Sequence, residues 1–146
     1  MTSSGQSGPR LSNMAPQGRP AFHIVVADDD PLIRMVLRLA LQSDGNDVTE
    51  LPSGDGVLDA VVASGASLVI LDAHMPGPGL ADIIRTLRPR VSDRVIPVLI
   101  LSGDPALADL ATEHEAVAFK LKPVDMADLL STVSLLLEHQ DDPVIL

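Results

Sequence analysis

Ile24-Val25-Val26-Ala27-Asp28-Asp29-Asp30-Pro31 decides how this chain folds: four apolar, mostly β-branched residues run into three carboxylates and then a proline. Such a run suits a short strand buried on both faces, as in a parallel sheet. Asp30 before Pro31 is a helix start, because Asp accepts hydrogen bonds from the first free amides and Pro fits the first helical position. Strand followed by helix is the opening unit of an alternating α/β chain.

The same punctuation recurs outward from there. Leu68-Val69-Ile70-Leu71 runs into Asp72, Ile96-Pro97-Val98-Leu99-Ile100-Leu101 into Ser102, and Val117-Ala118-Phe119-Lys120-Leu121 into Lys122. Between these runs the apolar period changes to that of a helix: Ile33, Val36, Leu37, Ala40 and Leu41; then Leu80, Ile83, Ile84 and Leu87, closed off before Pro89; then Met126, Leu129, Leu130, Val133 and Leu137. Asp47 to Leu51 is a weaker strand, and Ser53 is expected to open a helix that carries Val57, Ala60 and Val61 and ends near Gly65. Asp104-Pro105 repeats the cap and proline for a short Ala-rich helix with Leu107, Leu110 and Ala111. Five strands alternating with five helices predict a doubly wound parallel sheet, since right-handed crossovers put helices on both faces.

At 146 residues and 46% hydrophobic content, the chain is expected to form one domain with one core. The expected organisation is a disordered tail over residues 1–21, rich in Ser, Gly, Gln and Pro; a folded unit over 22–139; and a short C-terminal tail over 140–146. A formal net charge of −10 without a basic run argues against nucleic acid and anionic membranes as partners, because Lys and Arg supply most of that affinity. No cysteine is present, so disulfides and thiolate metal sites are excluded. No apolar stretch is long enough to span a bilayer, and the first twenty residues lack a signal-peptide core, so the expected location is cytoplasmic.

In a parallel sheet the four strand ends share one edge, where Asp28, Asp29, Asp72, Ser102 and Lys122 would converge. Clustered carboxylates repel one another. A hard divalent cation such as Mg2+ relieves that repulsion while keeping water sites free for phosphate oxygens. Asp72 could attack a phosphoryl group and hold it as an acyl phosphate, with Ser102 and Lys122 stabilising charge on the transferred oxygens. Singly, each residue has a plain structural reading: Asp30 is an N-cap, a lone Asp or Ser after a strand is a turn residue, and Lys122-Pro123 marks a turn. The functional reading rests on their order and position together.

These motifs, Ile24 through Arg34, Leu68-Val69-Ile70-Leu71-Asp72-Ala73-His74-Met75-Pro76-Gly77, Leu99-Ile100-Leu101-Ser102-Gly103 and Lys122-Pro123, resemble the successive signatures of the receiver domain of bacterial two-component response regulators. The resemblance implies a flavodoxin-like fold and a phosphoacceptor at Asp72. It makes Asp28 and Asp29 the acidic pair for Mg2+ or another divalent cation, with Asp29, Asp72 and the backbone carbonyl of His74 as ligands. It makes Ser102 the hydroxyl that meets the phosphoryl group, Lys122 its cationic partner, and Gly103 the small residue beside the hydroxyl. Phe119 falls where the family places an aromatic that turns inward on activation. His74 and Asp104 fall where side chains influence the hydrolytic water. The implied partners are a histidine kinase or phosphotransfer protein and a downstream protein; a homodimer is also allowed.

The expected function is a single-domain switch that modifies itself and does not turn over a substrate. Two alternatives accompany it. A haloacid dehalogenase-type phosphohydrolase would use Asp28 and Asp30 and leave Asp72 without a role, and Asp141-Asp142 follow a helix where that family needs a strand. A phosphorylation-silent module of the same fold would act by contact alone. The loop after Gly77 departs from the usual pattern with Pro78-Gly79-Leu80, and the stretch from Ser102 to Lys122 is slightly short. The apolar ending Pro143-Val144-Ile145-Leu146 and the pair Leu135-Leu136 offer contact surface on or after the last helix.

Overall fold

The computed structural model describes residues 21–87, 95–114 and 116–138. Residues 1–20 of the expected N-terminal tail, the expected C-terminal tail over 140–146, Pro89 and His139 lie outside these residues. Five strands form one parallel sheet: β1 (His23–Ala27), β2 (Asp47–Leu51), β3 (Leu68–Asp72), β4 (Val98–Ser102) and β5 (Val117–Leu121), in the order β2-β1-β3-β4-β5. Five helices connect and cover them: α1 (Pro31–Ser43), α2 (Val57–Ser64), α3 (Leu80–Leu87), α4 (Ala108–Glu113) and α5 (Met126–Glu138). The doubly wound parallel sheet is the one expected from the alternation of patterns, and this strand order is that of the flavodoxin-like fold the resemblance implies.

Alternate residues of the central strands go to opposite faces, and each face meets its own helices. Val25, Ala27, Val69, Leu71, Val98 and Ile100 pack with Val57 and Val61 of α2 and Ile83, Ile84 and Leu87 of α3. Ile24, Val26, Leu68, Ile70, Leu99 and Leu101 pack with Leu37 and Leu41 of α1 and Leu129, Val133 and Leu137 of α5. All of these are at most 4% exposed. Full burial of one such aliphatic side chain contributes about 1.5–3 kcal/mol, so two filled layers hold the strand ends in fixed register. Val69 lies opposite Val98, Ala27 opposite Leu71, and Ser102 opposite Leu121.

Three local expectations are corrected. Ser53 does not open α2: its hydroxyl accepts from the Asp55 amide at 3.2 Å in a turn, and Gly56, at φ 80°, delays the helix until Val57. The run beginning at Ile96 becomes strand only from Val98, because Pro97 has no N–H for the ladder; its carbonyl accepts from Val69 N at 3.1 Å. Asp104 does cap a helical segment, accepting from Ala106 N at 2.9 Å, but the first turn over Pro105–Leu107 is a 3-10 helix and α4 follows with six residues. The excess apolar width expected of α5 falls on Leu135, which is 56% exposed.

Candidate functional site

The sheet order reverses direction between β1 and β3, and that is where the acidic groups gather. Asp28 follows β1, with its backbone N–H donating to Leu51 O of β2 at 3.1 Å. Asp72 is the last residue of β3 and Ser102 the last of β4. Lys122 follows β5 and ties back to β4 through its N–H to Ser102 O at 2.8 Å; the Lys122–Pro123 peptide is cis.

Lys122 Nζ donates to Asp72 Oδ1 at 2.9 Å and lies 3.7 Å from Asp28 Oδ2. Asp28, Asp29 and Asp72 each present a carboxylate oxygen within 4.8 Å of the others. Asp28 and Asp72 are buried, whereas Asp29 is exposed. Asp28 Oδ1 accepts from the Asp30 amide at 2.9 Å, while its Oδ2 is buried without a hydrogen-bond partner among the described residues. A buried carboxylate oxygen without a donor, in a cluster of hard oxygen ligands open on the Asp29 side, fits a divalent cation that retains waters.

The electrostatics agree with that fit. Burial pushes the Asp28 carboxyl pKa up, and the nearby charges of Asp72 and Asp29 add to the shift; the Asp30 amide and Lys122 oppose it without cancelling it. Burial by itself would lower the Lys122 ammonium pKa, but its hydrogen bond to Asp72 and the charges of Asp72 and Asp28 raise it overall. One lysine thus offsets part of the negative charge of three carboxylates.

Ser102 is fully buried, and its Oγ accepts from the Asp104 amide at 3.0 Å, which shapes the loop after β4. Apart from its chain neighbours, no described residue lies within 4 Å of where a Cβ at Gly103 would stand, so that position faces open space. His74 is exposed. Phe119 is half-buried and packs on the α2–α3 side of the core, opposite Ile100 in the ladder. Asp30 serves α1: its Oδ1 accepts from Leu32 N at 2.9 Å and Ile33 N at 3.4 Å. The hydrolase alternative needed the Asp30 side chain for chemistry and none from Asp72; Asp30 Oδ1 is engaged on the first amides of α1, and Asp72 lies against Lys122.

Two residues beside the site received no role from the sequence. Arg34 Nη1 donates to Asp28 O at 2.7 Å, and Arg34 Nε meets Glu50 Oε1 of β2 at 3.3 Å. An arginine one turn into the helix after an acidic loop was visible in the sequence, but its reach across to β2 depends on the pairing of β1 with β2.

Comparison with known proteins gives the same frame. The family model described as response regulator receiver domain matches residues 24–134. The sensory/regulatory protein RpfC of Xanthomonas campestris pv. campestris is 36% identical over 118 residues, covering 78% of this chain and 16% of that protein. The DNA-binding response regulator MtrA of Mycolicibacterium smegmatis is 31% identical, covering 82% of this chain and 52% of MtrA. The chain therefore spans about half or less of these relatives. A solved response regulator receiver domain protein from Clostridium thermocellum matches with TM-score 0.72 at 28% identity, over 81% of this chain and 95% of that one.

Proposed function

Because this chain belongs to the response regulator receiver domain family, we propose that it is a phosphorylation switch that takes a phosphoryl group onto Asp72 from a phosphohistidine of a kinase or phosphotransfer protein. The observation that carries the reading is the contact of Lys122 Nζ with Asp72 Oδ1 at 2.9 Å, inside a cluster that brings Asp28, Asp29 and Asp72 within 4.8 Å. Asp72 attacks phosphorus, the phosphorus–nitrogen bond of the donor breaks, and the donor imidazole leaves with its electron pair and takes up a proton. Asp28, Asp29, Asp72 and the His74 carbonyl would hold Mg2+ or another divalent cation, which supplies charge neutralisation when bound. Lys122, already at the attacking carboxylate, would pair with a phosphoryl oxygen on the acyl phosphate. Ser102 would exchange its bond to the Asp104 amide for one to phosphate, and Phe119 would turn inward behind it. That exchange couples the modification to the β4–α4 surface.

The output in this reading is contact with another protein. Among the described residues no helix is long and apolar enough to cross a membrane. The protein modifies itself and is not a turnover enzyme.

The test is incubation with Mg2+ and a small acyl phosphate donor, with intact mass followed for the wild type and Asp72→Asn. One phosphoryl adduct on the wild type and none on the variant supports the switch. Turnover of donor that survives Asp72→Asn supports a hydrolase, and absence of any adduct supports a phosphorylation-silent module.

A further inference from the structure

We propose that Arg34 is a positioning residue of the cation site: it clamps the backbone of the acidic loop against the edge strand β2 and so holds Asp28 in ligating geometry. This rests on the reading of Asp28, Asp29 and Asp72 as a cation site. The Asp28 backbone is held on both sides of its Cα. Its N–H donates to Leu51 O at 3.1 Å, and its C=O accepts from Arg34 Nη1 at 2.7 Å. The guanidinium is in turn held on Glu50, whose Oε1 is 3.3 Å from Arg34 Nε and whose Oε2 is 2.6 Å from Arg38 Nε. Leu51 and Glu50 are consecutive on β2, so one segment of the edge strand secures both sides of the loop. The Arg34 side chain is 18% exposed, so solvent screens this arrangement only in part.

The sign of the effect separates positioning from simple charge. Arg34 is a cation beside a cation site, and by Coulomb's law its removal should tighten Mg2+ binding. A positioning role predicts the opposite. Without the guanidinium the Asp28 carbonyl loses its donor and the loop gains freedom that cation binding must then remove. Arg38 supplies the control: it shares Glu50 through Nε and turns Nη1 to Gln42 Oε1 at 3.4 Å, away from the Asp28 carbonyl that Arg34 holds.

The experiment measures Mg2+ affinity by calorimetry and backbone amide exchange in metal-free protein for wild type, Arg34→Met, Arg38→Met and Glu50→Gln. Arg34→Met is expected to weaken Mg2+ binding roughly tenfold, the low end for residues that orient metal ligands. It is also expected to speed exchange at the Asp28 and Asp30 amides, with Val69 in β3 unchanged as the reporter of global stability. Glu50→Gln, which keeps an acceptor for Arg34, should show a smaller shift in the same direction, and Arg38→Met neither effect. Unchanged or tighter Mg2+ binding in Arg34→Met overturns the proposal. So does unchanged exchange at Asp28 and Asp30, or acceleration at Val69 to the same degree. If the wild type binds no Mg2+ while Arg34→Met selectively speeds exchange at Asp28 and Asp30, the cation-site reading fails and the clamp stands.

Discussion

Asp28 is 1% exposed and still carries a carboxylate, with one oxygen satisfied by the Asp30 amide and the other without a hydrogen-bond donor among the described residues. Its pKa is raised, chiefly by burial, so the folded state binds its proton more tightly than the unfolded chain does. Stability from this group is therefore present below the unfolded carboxylate pKa and lost as pH rises through the raised folded value. Without divalent cations, Asp28→Asn is expected to stabilise the protein near neutral pH by about 1 kcal/mol and to flatten the acid end of its stability–pH curve, as measured by urea unfolding. It should also abolish stabilisation by Mg2+. An Asp28→Asn protein that is less stable than wild type in chelator would contradict this account. The residue identities of the site were legible because each sits at the end of an apolar run, a pattern local in sequence. That Asp28 would be buried and Asp29 exposed was not, since adjacent residues leaving a strand differ only by which way the loop turns.

At the scale of elements, Asp30 and Pro31 set the start of α1 as their chemistry dictates: Oδ1 accepts from Leu32 N and Ile33 N. Asp30→Ala should cost about 1 kcal/mol in thermal or urea unfolding, as loss of an N-cap side chain does. Phosphorylation of Asp72 should persist in that variant, because the Asp30 amide that serves Asp28 belongs to the backbone. Loss of phosphorylation with the fold intact would put Asp30 back in the chemistry. The α2 boundary was misplaced because Ser53 is a plausible cap by type, and only its actual bond to the Asp55 amide and the left-handed Gly56 show a turn instead. Similarly, Asp104 was legible as a cap, but whether 3-10 or α geometry follows depends on how the short stretch to β5 must pack.

For the whole molecule, the three carboxylates come from the β1 end, the following loop and the β3 end, and they meet only when β1 and β3 pair. A cation held by all three binds the folded chain and not the unfolded one, so it must stabilise folding. Mg2+ at one hundred times its dissociation constant is expected to add about 2.7 kcal/mol, read as a rise in the urea midpoint that Asp72→Asn reduces. A midpoint insensitive to Mg2+ at every concentration would rule out the cation site. With a net charge of −10, part of any shift is general screening, and an equal ionic strength of NaCl measures that part. The alternation of strand and helix, the doubly wound sheet and the candidate set Asp28, Asp29, Asp72, Ser102 and Lys122 were legible without coordinates, because period and punctuation are properties of neighbouring residues. The folded packing was needed to see that Lys122 meets Asp72, that Ser102 is turned to the Asp104 amide, and that Arg34 joins the Asp28 carbonyl to Glu50. Those contacts join residues on different strands and helices, and their distances follow from packing that no local pattern encodes.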